Sequence, residues 1–84
     1  MDVVFSTHAE EKIELLNTNG FSITKNQVVE CLDKPDRMDA GYKGRIIAQR
    51  VIDDRHVLRV VFEDKDNVRR VITLYPGRRE RYED

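Results

Sequence analysis

After Pro35 the chain is dominated by runs of β-branched and aromatic residues, and this change of pattern constrains its fold more than any other feature. Three segments of strand length follow one another, namely "GRIIAQRVIDD", "HVLRVVFEDKDN" and "VRRVITLY", with Asp-rich turn chemistry between them. A short extended segment is also predicted over about 37–42. Because short connections favour antiparallel pairing, we expect an antiparallel sheet of three to four strands.

Before Pro35 the sequence shows helical periodicity in two segments, each with its own start signals. In the first segment, Thr7 and Glu10 match a Thr-x-x-Glu capping box, and Gly20 is a stop signal. One apolar stripe is formed by Ala9, Ile13 and Leu16. These residues predict a first helix over about 7–18.

The second helical segment has the stronger signals. Thr24 and Gln27 match another capping box, and Pro35 ends the pattern. Its buried stripe is predicted to contain Val28, Cys31 and Leu32. Helix two is therefore predicted over about 25–33. Cys31 is the lone cysteine of the chain, and we expect it to behave as a small buried hydrophobe.

The chain has 84 residues, which suits one small domain that we expect to span 1–84. Two helices followed by three or four meandering strands predict an α+β fold, in which both N-terminal helices pack on one face of the antiparallel sheet. Side chains alternate across a strand, so Leu58, Val60 and Phe62 are predicted to face the helices and form the core.

The net charge of −1 conceals an uneven distribution. Residues 1–42 carry four basic and eight acidic side chains, whereas residues 43–84 carry eleven basic and eight acidic ones. Nine of the ten arginines lie in the second half, so a basic face that binds an anionic partner is compatible with the composition. No signal peptide or membrane-spanning segment is predicted, and we expect a cytoplasmic protein.

Polar residues of the last two strands form the candidate site. Arg59, Thr73 and Tyr75 would share one face of the sheet if the hairpin loop had an odd number of residues, such as Asp64 to Asp66. Guanidinium groups bind phosphate and tyrosine rings stack on bases, so this face would suit RNA. The alternative is a plain solvated face with cross-strand pairs. Further phosphate contacts are predicted from Arg50, Arg78, Arg79 and Arg81.

The two histidines receive different predictions. His8 lies at the start of helix one, where a neutral imidazole can act as a general base. The alternative for His8 is a surface histidine near the helix cap with no catalytic role. His56, in the tight "DDRHV" corner, is predicted to be structural. One cysteine and two histidines lie far apart without ligand spacing, so neither a metal site nor a cofactor is predicted.

The segments "FSTHAEEKIELL", "RVIDDRHVLRVVFED" and "RRVITLYPGRRERYE" together resemble a bacterial family of domains of unknown function in the RelE-like and BrnT-like toxin superfamily. The resemblance extends over nearly the whole chain. Its most specific parts are the Ser-x-His-Ala opening of helix one and the Val-Ile-Thr-x-Tyr last strand. It implies a RelE-like toxin fold, which ribonucleases of toxin–antitoxin pairs share.

Such ribonucleases need no metal, and they activate the ribose 2′-hydroxyl while basic residues hold the phosphate. The resemblance assigns catalytic roles to His8, Arg59, Thr73 and Tyr75, and it assigns RNA binding to Arg78, Arg79 and Arg81. It also implies a type II toxin whose cognate antitoxin covers the arginine-rich face. Some relatives lie beside a zinc-finger protein, which is one form that this antitoxin could take. The substrate would be RNA, with mRNA as one candidate.

Two functions are therefore expected from the sequence. The first is a metal-independent endoribonuclease that acts as a toxin. The second is a non-catalytic domain of the same fold, in which the same face binds a protein or a nucleic acid. The modest net charge of −1 and the lack of a decisive catalytic motif support the second function.

Overall fold

The computed structural model describes residues 1–83, which form an α+β structure with a five-stranded mixed sheet and three helices. The elements are β1 (Asp2–Phe5), α1 (Thr7–Thr18), α2 (Lys25–Asp33), β2 (Arg37–Ala40), β3 (Ile46–Val51), β4 (His56–Lys65), β5 (Val68–Arg78) and α3 (Arg79–Tyr82). The α+β class agrees with the prediction. The predicted sheet of three to four antiparallel strands is corrected to five strands, of which one pair is parallel.

Strand β1 is the element that sequence reasoning missed. It has four residues and pairs in parallel with β5, so that Asp2 lies opposite Val68 and Phe5 opposite Val71. The strand order across the sheet is β1-β5-β4-β3-β2. A four-residue segment whose partner lies more than sixty residues away carries no local pattern from which this pairing can be predicted.

Helix α1 has the predicted bounds, but Ser6 caps it rather than Thr7. Ser6 Oγ accepts the backbone N–H of Ala9 at 3.0 Å and donates to the carbonyl of Ile72 at 2.8 Å. The backbone of Ser6 is also hydrogen-bonded to β5, because β1 ends beside that strand. The predicted capping box of Thr7 and Glu10 is therefore wrong, and the cap joins α1 directly to the sheet.

Helix α2 confirms both its predicted bounds and its predicted cap. The backbone N–H of Gln27 donates to Thr24 Oγ1 at 3.1 Å, and the backbone N–H of Thr24 donates to Gln27 Oε1 at 2.8 Å. None of the helices in residues 1–83 is both long enough and apolar enough to cross a lipid bilayer.

The β4–β5 hairpin has a two-residue loop, Asp66 and Asn67, and both residues have positive φ as a type I′ turn requires. Continued without interruption, this register would pair Arg59 with Leu74. A β-bulge at Ile72 shifts the register by one residue, so that Arg59 lies opposite Tyr75 instead. The loop does not have the odd length that the prediction required, and the bulge supplies the extra residue.

The core lies between the sheet and helices α1 and α2. Leu58, Val60 and Phe62 are fully buried there, as strand alternation predicts. The other buried members of this cluster are Ala9, Ile13, Leu16, Ile23, Val28, Cys31, Leu32, Ala48, Val71 and Leu74. Burial of a large aliphatic or aromatic side chain contributes roughly 1.5–3 kcal/mol. Burial also raises the pKa of the Cys31 thiol to about 12, so the thiol stays protonated at neutral pH.

The C-terminal end of the chain folds back over the sheet. Strand β5 extends beyond the predicted "VRRVITLY" to Arg78, and the other two C-terminal arginines, Arg79 and Arg81, lie in the short helix α3. Helix α3 brings the ring of Tyr82 over Arg59, on the sheet surface opposite α1 and α2, which we call the distal face. The distal face is therefore partly covered by the chain itself.

Candidate functional site

Arg59 is the centre of a hydrogen-bonded cluster on the distal face. Its Nε–H donates to the hydroxyl oxygen of Tyr75 at 3.0 Å, across the strand pair that the bulge aligns. Its Nη1 donates to Asp39 Oδ2 at 3.2 Å and to Gln49 Oε1. Only 6% of Arg59 is exposed to solvent. A buried guanidinium needs such partners, because an unpaired buried charge is strongly destabilising.

Tyr82 covers this cluster from the solvent side. Its ring centroid lies 4.4 Å from Arg59 Cζ, which is a cation–π distance. Its carbonyl oxygen accepts hydrogen bonds from Arg37 Nη1 at 3.0 Å and Gln49 Nε2 at 3.2 Å. A Cβ atom at Gly77 would lie 2.3 Å from the Tyr82 ring, so the ring packs directly on the glycine backbone. The guanidinium of Arg59 is thus held between the sheet and a tyrosine ring.

The electrostatics of the cluster favour its ionised form. Hydrogen bonding from Arg37 is the largest cause that holds the pKa of Asp39 below its usual range, and Arg59 adds to the effect. The carboxylate of Asp39 is therefore charged at neutral pH and faces two guanidinium groups. Asp39, Gln49 and Tyr82 were not predicted as site residues. The one feature of the sequence that could have indicated these residues is the polar Gln49 inside the apolar run "IIAQRV".

His8 and Thr73 meet at the edge of the sheet. His8 Nε2 lies 3.0 Å from Thr73 Oγ1, and both groups are accessible to solvent. The cap of α1 produces this contact, because Ser6 binds the carbonyl of Ile72 and so fixes the start of the helix beside β5. Thr73 pairs with Val61 after the bulge and therefore belongs to the distal face.

The four residues predicted to be catalytic lie in one row, as two contacting pairs. His8 contacts Thr73, and Tyr75 contacts Arg59. Thr73 and Tyr75 lie on the same face of β5, roughly 7 Å apart along the strand, which is twice the rise per residue. Three members of the row have solvent access, whereas Arg59 is buried beneath Tyr82.

Arg50 lies apart from this row. It pairs with Leu58 across β3 and β4, on the sheet face that carries α2. Its Nη1 donates to the carbonyl of Lys34 at 2.6 Å, and its Nη2 donates to Glu30 Oε1 at 2.8 Å. The structure therefore uses Arg50 to attach the end of α2 to the sheet and does not bring it near Arg59.

The side chains of the three C-terminal arginines, Arg78, Arg79 and Arg81, lie in different environments. The side chain of Arg78 is 77% exposed. Arg79 Nε donates to Glu83 Oε1 at 2.8 Å, and this hydrogen bond raises the pKa of the Arg79 guanidinium. Arg81 Cζ lies 5.9 Å from the ring centroid of Tyr82. These three arginines therefore do not form one common binding site.

A separate cleft of about 500 Å³ lies where the β3–β4 turn meets the start of α3. Its lining consists of Asp54, Arg55, His56, Arg78, Arg79 and Glu80. Behind it, Asp53 Oδ1 accepts the backbone N–H groups of Arg55 at 2.7 Å and His56 at 2.8 Å. The first of these hydrogen bonds is the largest cause that lowers the pKa of Asp53. We call this site the corner cleft.

Within residues 1–83, no group of three or more His, Cys, Asp or Glu side chains is arranged to hold a metal ion. The residues with candidate chemistry thus lie in two places, the row that starts at His8 and the corner cleft. Comparison of the chain with known protein families, with curated proteins and with solved structures finds no match.

Proposed function

We propose that this protein is an endoribonuclease that cleaves RNA without a metal ion and acts as the toxin of a toxin–antitoxin pair. The observation that carries the proposal is the 3.0 Å contact between His8 Nε2 and Thr73 Oγ1. These two residues lie 65 positions apart in the chain, and the resemblance assigns catalytic roles to both. Tyr75 continues the same solvent-accessible surface.

The proposed reaction is an internal transfer at one phosphodiester of RNA. His8 removes the proton of the ribose 2′-hydroxyl, and the 2′-oxygen attacks the neighbouring phosphorus. The bond from phosphorus to the 5′-oxygen breaks, and Tyr75 donates its phenolic proton to that leaving oxygen. The products are a 2′,3′-cyclic phosphate and a free 5′-hydroxyl, so atoms and protons balance. Thr73 holds the imidazole of His8 in place.

Arg59 acts in this proposal as a positioning residue. Its Nε–H donates to the Tyr75 oxygen, so the phenolic proton is not used in that contact and remains available for the leaving group. Because Arg59 is buried beneath Tyr82, direct contact with the phosphate is assigned to exposed arginines instead. The predicted antitoxin, with a zinc-finger protein as one candidate, would cover this surface.

A non-catalytic binding domain is the second candidate, and one observation favours it. The Nε and Nη1 groups of Arg59 are bonded to Tyr75, Asp39 and Gln49, as expected of a residue that stabilises the fold. In this alternative the distal face binds a protein or an RNA, and His8 has no chemical role. RNA would then be bound and released intact.

The test compares wild type with His8→Ala and Tyr75→Phe, which keeps the ring and removes only the hydroxyl. Expected results are growth arrest on induction and RNA cleavage in the presence of EDTA by wild type, with each variant at least about tenfold slower. Lys34→Gln is the matched control, because Lys34 is exposed and lies at the end of α2, on the face of the sheet opposite the row. Equal growth and intact RNA with all four folded proteins would support the binding domain instead.

A further inference from the structure

The corner cleft brings together side chains from two segments that the sheet holds in register. His56 pairs with Arg78 at the ends of β4 and β5. The backbone N–H of Arg79 donates to the carbonyl of Arg55 at 2.8 Å, which joins the start of α3 to the β3–β4 turn. The cleft is thus built on the ends of two paired strands and on a turn that is hydrogen-bonded to the start of α3.

Two of its guanidinium groups are available to a ligand. The side chain of Arg55 has no hydrogen-bond or ion partner within residues 1–83. Arg78 is 77% exposed, and its only ion partner among these residues is Glu80 at 3.6 Å, near the limit of an ion pair. Arg79 already donates through Nε to Glu83, so its role in the cleft is to add charge, and it offers fewer free N–H donors than Arg55 and Arg78. Free guanidinium forks are suited to bidentate binding of phosphate oxygens.

His56 adds an oriented nitrogen to the same lining. Its Nδ1 lies 3.0 Å from Asp53 Oδ1, so this nitrogen faces the carboxylate and Nε2 is left for a ligand. Asp53 is itself fixed by two backbone N–H groups, and the ring of His56 packs against Phe21 with 5.2 Å between centroids. A carboxylate that holds one imidazole nitrogen is a common way to orient the other.

We propose that the corner cleft is a phosphate-binding site, independent of the row that starts at His8. The lining carries three arginines against Asp54 and Glu80, and Asp53 and Glu83 lie beside His56 and Arg79, so the charges around the cleft nearly balance. This balance favours one phosphate group in direct contact with Arg55, Arg78 and His56 over diffuse attraction of a long polyanion. The ligand class is a phosphate ester, either the free monoester of a nucleotide or a diester of the RNA backbone.

The test is a titration of the full chain with inorganic phosphate at constant ionic strength, followed by NMR of backbone amides and arginine Nε–H groups. We expect saturable shifts confined to residues 53–56 and 77–80, and binding at least about tenfold weaker in an Arg55→Gln/Arg78→Gln double variant. Arg81→Gln, an exposed arginine outside the lining, should bind as wild type does. Asp54→Asn removes a negative charge and should tighten phosphate binding severalfold. Because an unfolded protein could not bind phosphate more tightly, this variant also controls for misfolding.

Two further ligands then identify the source of the phosphate. Stronger binding of a nucleotide 5′-monophosphate identifies the monoester, whereas equal shifts by a 5′-hydroxyl RNA oligonucleotide identify the backbone diester. The proposal is overturned if sodium chloride produces the same shifts, or if the double variant binds phosphate as wild type does. Loss of RNA cleavage in His8→Ala with phosphate binding retained would keep the two sites distinct.

Discussion

The ring of Tyr82 lies 4.4 Å from the guanidinium carbon of Arg59 and closes the distal face over a buried cation. This contact joins helix α3 to the middle of β4. It means that Arg59, one of the four residues predicted to be catalytic, is inaccessible to RNA while α3 stays in place.

Substitution of Tyr82 by Ala is expected to lower the free energy of unfolding by about 1–3 kcal/mol, because the cation–π contact and the packing on Gly77 are lost. It should also expose Arg59 to arginine reagents such as phenylglyoxal, with modification read by mass spectrometry. Tyr42→Ala is the control, since Tyr42 is 80% exposed and its loss should change stability by less than about 0.5 kcal/mol. Equal protection of Arg59 in wild type and Tyr82→Ala would show that α3 is not the cover.

Gly77→Ala tests the same packing from the other side. The added Cβ would lie 2.3 Å from Tyr82 Cε2, so the ring must move and the expected cost is about 1–3 kcal/mol. In the Tyr82→Ala background the clash disappears, and the cost should fall by at least about 1 kcal/mol in a double-mutant cycle followed by thermal or urea unfolding. Additive effects of the two substitutions would contradict direct packing of ring on glycine.

Ser6 is expected to matter more than Thr7, which reverses the prediction from the sequence. Ser6→Ala removes both the cap bond to Ala9 and the bond to the carbonyl of Ile72, and should cost about 1–2 kcal/mol. Thr7→Ala should change stability by less than about 0.5 kcal/mol, because its side chain does not cap the helix. Thermal unfolding of the two variants compares them directly, and a larger loss in Thr7→Ala would restore the predicted capping box.

Acid should weaken the β4–β5 hairpin through Asp64. Arg69 donates to both carboxylate oxygens, Nε to Oδ1 at 2.8 Å and Nη2 to Oδ2 at 2.9 Å, and these hydrogen bonds lower the pKa of Asp64 below 3.8. A carboxylate whose pKa is lower in the folded state contributes stability that is fully present above 3.8 and is lost as pH falls through the folded value. Melting temperatures of wild type should therefore fall below about pH 4 more steeply than those of Asp64→Asn. Glu11→Gln is the control, and an Asp64→Asn curve parallel to wild type would exclude this contribution.

Much of the fold could be predicted because its determinants are local. The bounds of α1 and α2 follow from capping residues, apolar stripes and stop signals that lie within a dozen positions of each other. The burial of Leu58, Val60 and Phe62 follows from alternation along one strand. The α+β class follows from the change of pattern at Pro35. Each of these inferences needs only neighbours in the sequence.

The candidate site was predicted as a set of residues, and its arrangement was predicted only on the condition that the hairpin loop has an odd number of residues. His8, Thr73, Tyr75 and Arg59 were identified from the sequence, and the structure joins them in one row. Their alignment depends on the bulge at Ile72, which no local pattern marks. Arg50 was grouped with them because of its charge, although its guanidinium is hydrogen-bonded to Glu30 and Lys34 at the end of α2.

The sequence by itself determined two helices, three long strands and the identity of the core, because side-chain periodicity and capping act over a few residues. Only the tertiary structure decided that β1 joins β5 in parallel, that Arg59 faces Tyr75, and that Tyr82 covers both. These three features depend on which distant segments meet. That choice depends on the free energy of packing the whole chain, in which a gain at one contact offsets the entropy of closing a long loop.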